Sequence, residues 1–155
     1  LKNQQTQRDI LEDKYTLGST SSYDEVARKA ELNTKTRDEL IDILNLVVDK
    51  VTSNLNIDEI LLYGSYAKGK ENDDSDIDIA VISPDLEKKN PIFENALYVH
   101  RKASLYEPYI QLVAFPSRTY YEEEFIKPEF IQEIKNTGKL IYKKNFEIDI
   151  LKAFS

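Results

Sequence analysis

The chain has 155 residues and a net charge of −7, enough for one compact domain and too few for two full ones. So acidic a chain lacks the dense Lys/Arg surface that grips a long nucleic acid backbone. It contains no Cys, which excludes disulfide scaffolds, Cys-ligated zinc and thiol nucleophiles. Hydrophobic residues at 41% and charged residues at 32% mark a globular composition. Apolar runs such as Leu44 to Val48 are short and interrupted, so no membrane span is expected. No basic-then-apolar leader opens the sequence, and the expected location is the cytoplasm. No Met occurs, even at residue 1, which suggests that the natural N-terminus lies outside this sequence.

Residues 1–35 are polar and weakly patterned and read as an N-terminal helical extension, with short helices over Thr6 to Tyr15 and Tyr23 to Leu32. The pattern sharpens at Thr36-Arg37-Asp38-Glu39, a capping box that satisfies the free amides of a helix start. Leu40, Leu44, Val47, Val48 and Val51 share one face of that helix, which is predicted to run to about Ser53. Ile60 to Tyr63 reads as a short strand ending at Gly64, and Asp76 to Ile82 as a second strand with strict alternation. Ile92 to Arg101 is a helix or an irregular connection. Ala103 to Phe115 is rich in strand formers, with Pro108 forcing a bulge or an edge position. Tyr120 to Lys127 reads as a helical turn. Pro128 suits a helix start and Gly138 a helix end, with Phe130, Ile131 and Ile134 facing inward. The expected class is α/β (α+β), a small mixed sheet with helices packed mainly on one face.

Two segments carry chemistry. Tyr63-Gly64-Ser65-Tyr66-Ala67-Lys68-Gly69 follows a strand directly, and a glycine there lets the backbone turn sharply against a ligand. If Ser65 to Lys68 opens a helical turn, its amides and the Ser65 hydroxyl suit an anion such as a phosphate. In Asp76-Ile77-Asp78, alternation puts both carboxylates on one strand face, about 7 Å apart. Asp is depleted in strands, and two like charges side by side repel; a hard divalent cation removes that cost. His100, between Val99 and Arg101, reads as a surface residue, and Glu122-Glu123-Glu124 as a solvated helix face. Tyr63 and Tyr66 flank the Gly-Ser turn and suit either base stacking or core packing.

A Gly-Ser turn, a ten-residue spacer and an Asp-x-Asp strand resemble the polymerase β-type nucleotidyltransferase superfamily, and within it the minimal nucleotidyltransferases of prokaryotes. The resemblance covers Thr36 to Tyr142, which sets the expected domain at 36–142 with a C-terminal tail at 143–155. Lys68 stands where many members carry Arg. The resemblance implies catalytic and metal-binding roles for Asp76, Asp78 and a third acid from a neighbouring strand. It implies nucleotide contacts from Gly64, Ser65 and Lys68. Leu105-Tyr106-Glu107-Pro108 matches a Glu-Pro feature of minimal members and nominates Glu107; in another register Gln111 takes the acid position, and the site has then lost a metal-binding charge. The activity implied is transfer of AMP from ATP to an acceptor hydroxyl with two Mg²⁺ ions. The expected acceptor is a tyrosine of an all-helical HEPN-type toxin partner, the chain serving as antitoxin. A non-catalytic antitoxin that acts by binding alone, and an enzyme acting on a small molecule, are the alternatives.

Overall fold

The computed structural model describes residues 36–72, 74–86, 92–122 and 128–154. The helices expected within 1–35 lie outside the described residues. Helix α1 (Arg37–Asn54) begins at the Thr36 capping box: the Thr36 hydroxyl accepts from the Glu39 amide at 3.1 Å, and the Thr36 amide donates to the Glu39 carboxylate at 2.9 Å. It buries Leu40, Ile41, Leu44, Val47 and Val51, one stripe at helical spacing. Strand β1 (Glu59–Tyr63) leads into the short helix α2 (Gly64–Lys68), and strand β2 (Ile77–Ser83) follows. The segment left open between helix and irregular connection is helix α3 (Ile92–Ala103). Its end is held by a left-handed Ser104 (φ 53) and by a hydrogen bond from the Leu105 amide to the His100 carbonyl at 3.0 Å. The His100 ring nitrogen Nδ1 contacts the Leu105 carbonyl at 2.8 Å, so this histidine, half-buried, belongs to the cap.

Strand β3 (Ile110–Pro116) is shorter than its strand-forming composition predicts. The reason is a turn: the Ile110 amide donates to the Glu107 carbonyl at 3.1 Å, with Pro108 at the second position, where its fixed φ is favourable. Pro108 therefore opens a β-turn and makes no bulge in the strand. Helices α4 (Ser117–Glu122) and α5 (Pro128–Thr137), strand β4 (Lys139–Lys143) and a 3₁₀ turn (Ile150–Phe154) complete the described chain. In α4, Glu122 is exposed and pairs with Arg118 one turn away at 3.1 Å; the expected helical turn beyond it, with Glu123 and Glu124, lies outside the described residues.

The four strands form one mixed sheet in the order β3-β2-β1-β4, with β1 antiparallel to both β2 and β4 and β2 parallel to β3. Helix α3 is the crossover that a parallel pair requires. Ile60, Leu62, Ile77, Ile79, Val81, Ile110 and Leu112 point to the face covered by α1 and α3, the larger of two apolar clusters. Leu61, Ala80, Ile82 and Phe115 point the other way, under Tyr120 of α4 and Ile131 and Ile134 of α5. The second face is thus closed over most of its length, so β2 alternates by face but not by exposure: of its seven residues only Asp78 is not buried. The segment after Tyr142 folds back, and Ile150 joins the larger cluster.

Candidate active site

The site forms where β1 ends beside the start of β2. Antiparallel register sets Tyr63 opposite Asp78, so the chain leaving β1 must turn directly over the Asp78 side chain. Gly64 makes that turn with φ +76, and a Cβ there would collide with the Asp78 carboxylate, standing 3.1 Å from its Cγ. Both the backbone angle and the space demand glycine. Gly69, at φ +70, ends α2 in the left-handed conformation with nothing near an added Cβ. The next amide, that of Lys70, donates to the Ser65 carbonyl at 2.9 Å and closes the Gly64-to-Gly69 loop on itself. Ser65 is half-buried inside it. Lys68 points across to α5 and pairs with Glu133 at 3.2 Å.

Asp76 is exposed just before β2 and Asp78 half-buried within it. Burial, followed by the charge of Asp76, pushes the Asp78 carboxyl up to about 6. Burial and then the charge of Asp74 raise Asp76 as well. Asp74 escaped the sequence reading; its part in the site's field comes from the turn in which its amide donates to the Asn72 side chain at 2.9 Å. Tyr63 is raised by burial, then by Asp78 and Glu133, and its ring meets Phe130 edge-on at 5.9 Å. Tyr66 is 4% exposed; of its two expected uses it serves core packing, and no base can stack on it.

The other side of Asp78 is set by the parallel pairing of β2 and β3, in which Asp78 lies opposite Gln111. Gln111 shares the second face with Asp78, as neighbours of one parity do in a parallel pair, and it is exposed. Glu107 is not in the strand. The Pro108 turn carries it below the start of β3, half-buried, with its Oε1 buried and without a hydrogen-bond partner. Among the described residues no group of three or more acids and histidines gathers to hold a metal ion. The structure therefore sets Gly64 against the Asp78 side chain, with Ser65 next in the chain and Asp76 two residues before Asp78, and places Glu107 in the turn before β3. Glu107 was expected within a strand beside Asp76 and Asp78; a turn stands in place of that stretch of strand, and β3 begins only at Ile110.

A divalent cation still fits. Asp76 and Asp78 are both raised, first by burial and then by a neighbouring acid, a cost that a cation would relieve, and Mg²⁺ is commonly held by one or two carboxylates plus substrate phosphates.

The family model for "Polymerase beta, Nucleotidyltransferase" matches residues 39–147. The chain belongs to this family. The match takes in β1, the Gly64 turn, the Asp76-Ile77-Asp78 segment and β3. A relative from Methanocaldococcus jannaschii, "Putative protein adenylyltransferase MJ0141", is 29% identical over 97 residues, 63% of this chain and 85% of its own length. Among solved nucleotidyltransferase structures, "a putative nucleotidyltransferase from Sulfolobus solfataricus" superposes with a TM-score of 0.50 at 22% identity, over 71% of this chain and 88% of that one. It shares the fold. A structure described as "the toxin-antitoxin with AMP-PNP" reaches a TM-score of 0.46 at 22% identity, over 66% of this chain and 74% of that one. Among the described residues no helix is long and apolar enough to cross a membrane.

Proposed function

We propose that this nucleotidyltransferase transfers AMP from ATP to a hydroxyl of a protein acceptor. The observation that carries the reading is the close packing of the Gly64-Ser65 turn on the Asp78 carboxylate, which supports a phosphate site beside the Asp-x-Asp segment. Ser65 and the loop backbone orient the triphosphate, and Lys68 adds positive charge there once it exchanges Glu133 for a phosphate oxygen. Asp76 and Asp78 would hold Mg²⁺, which when bound neutralises the phosphates and makes the acceptor hydroxyl more acidic. The acceptor oxygen bonds to the α-phosphorus, the bond to the bridging oxygen of the β-phosphate breaks, pyrophosphate leaves and the hydroxyl proton passes to solvent. The chain acts mainly by positioning and charge compensation.

The name of the Methanocaldococcus relative supports a protein acceptor, and the charge of −7 disfavours a long nucleic acid. We take the acceptor to be a tyrosine of an all-helical HEPN-type toxin, with this chain as its cytoplasmic antitoxin. The test is incubation with labelled ATP, Mg²⁺ and the product of the neighbouring gene. Label on a partner tyrosine, absent with Asp76→Asn or Asp78→Asn, is the expected result; unlabelled partner under all conditions overturns the reading.

One observation favours a second reading. Gln111 opposite Asp78 leaves the level position uncharged, which suits a module that binds nucleotide and partner without turnover. Calorimetric Mg·ATP binding with no transfer, together with partner neutralisation that survives Asp78→Asn, would select it. Glu107 lies in the turn before β3, and Glu107→Gln reports whether it contributes.

A further inference from the structure

The outer face of α3 is wrongly apolar for a solvated helix. Its inner face buries Asn95, Ala96, Val99 and Ala103, yet the opposite side exposes Phe93 at 64%, Leu97 at 41% and Tyr98 at 43%. Those three sit among charges in a definite order: Glu94 in the first turn, Arg101 and Lys102 in the last. Residues three and four apart adjoin on a helix, so these six make two adjacent rows along one face, Phe93-Leu97-Arg101 and Glu94-Tyr98-Lys102. The helix is about 18 Å long, a length that a second helix can cover end to end.

We infer that this face binds a second copy of the same chain, α3 packing antiparallel against the partner's α3 about a two-fold axis between Leu97 and Tyr98. That axis sets Leu97 against the partner's Tyr98 and Glu94 against the partner's Arg101. Phe93 lies against the stem of the partner's Lys102, and each contact occurs twice, as in any isologous pair. The order of charges selects this occupant. An acid at one end and two bases at the other, with apolar residues between, complement their own reverse, whereas a parallel arrangement stacks Glu94 on Glu94 and Arg101 on Arg101. One helix face buries less area than a standard stable interface, so the dimer is weak and exchanges readily. The contact lies on the helical layer and uses none of the residues assigned to the nucleotide site, so it stands apart from the activity proposed above.

Sedimentation velocity of the full chain over a rising concentration series tests it. Wild type shifts from monomer to dimer. Glu94→Arg and Arg101→Glu each weaken the association about tenfold or more, because every reversal places like charges together at two symmetric points. The double variant Glu94→Arg, Arg101→Glu regains wild-type association, and Leu97→Glu abolishes it. Circular dichroism melts check that these exposed substitutions leave the fold intact. A monomer at every concentration overturns the proposal. So does a dimer indifferent to Leu97→Glu, or a double variant no stronger than its parents.

Discussion

At the scale of single residues the site is defined by charge held where it is costly. The Asp78 carboxyl, ordinarily titrating near 3.8, is pushed up to about 6 by burial and by Asp76. A raised carboxylate favours the fold while protonated: its contribution is full below about 3.8 and is lost as pH rises through about 6. Metal-free wild type should therefore lose stability relative to Asp78→Asn between those values. Because the group is half exposed, solvent screening reduces the effect to about 1 kcal/mol, or roughly 2–4 °C in Tm at neutral pH. Paired thermal melts across that pH range check it; a variant less stable than wild type at neutral pH would contradict the repulsion. The same variant should lose transfer entirely. A second residue-scale prediction concerns the neighbour strand. Gln111→Asp puts a third carboxylate level with Asp78 and should tighten Mn²⁺ binding about tenfold or more, read by titration calorimetry without nucleotide. Glu107→Gln should leave that affinity within about twofold, since Glu107 lies in the turn before β3 while Gln111 is the residue paired with Asp78.

At the scale of elements, two glycines of nearly equal backbone angle give opposite forecasts. Gly69→Ala, at φ +70 in open space, should cost about 1 kcal/mol of stability and keep activity. Gly64→Ala adds to the same strain a collision with Asp78; it should cost about 2 kcal/mol or more and abolish Mg·ATP binding. Denaturant midpoints and calorimetry on the pair separate backbone strain from damage to the site. The α1 cap offers a purely structural control: Thr36→Ala removes the hydroxyl that accepts from Glu39 and should cost about 1 kcal/mol with no change in nucleotide affinity.

For the molecule as a whole, the segment beyond Tyr142, read from sequence as a tail, is part of the core. Ile150 is 6% exposed within the larger cluster, and the carbonyl of Phe154 accepts from Arg37 Nε at 3.1 Å, tying the last described turn to the first. Removing residues 149–155 should lower stability by about 3 kcal/mol, as deletion of a buried aliphatic side chain does. A urea midpoint unchanged by the deletion would show that the docking is dispensable.

The sequence by itself determined what is local. The Thr36 capping box, the inward stripe of α1, the Gly64-Ser65 turn and the Asp76-Ile77-Asp78 alternation each depend on residues a few positions apart, and each took the structure its neighbours dictate. Pro108 was visible too, but its effect was not: the same residue suits a bulge, an edge or the second position of a turn, and the hydrogen bond from Ile110 to Glu107 chose the last. Only the tertiary structure decided which side chain faces Asp78 from the next strand. β2 and β3 are parallel and joined through α3, so their register follows from how that helix packs across the sheet and from where the Pro108 turn ends. A shift of one pair would face Asp78 with Ile110 or Leu112, the core residues. Burial of those two is what holds Gln111 beside the aspartate.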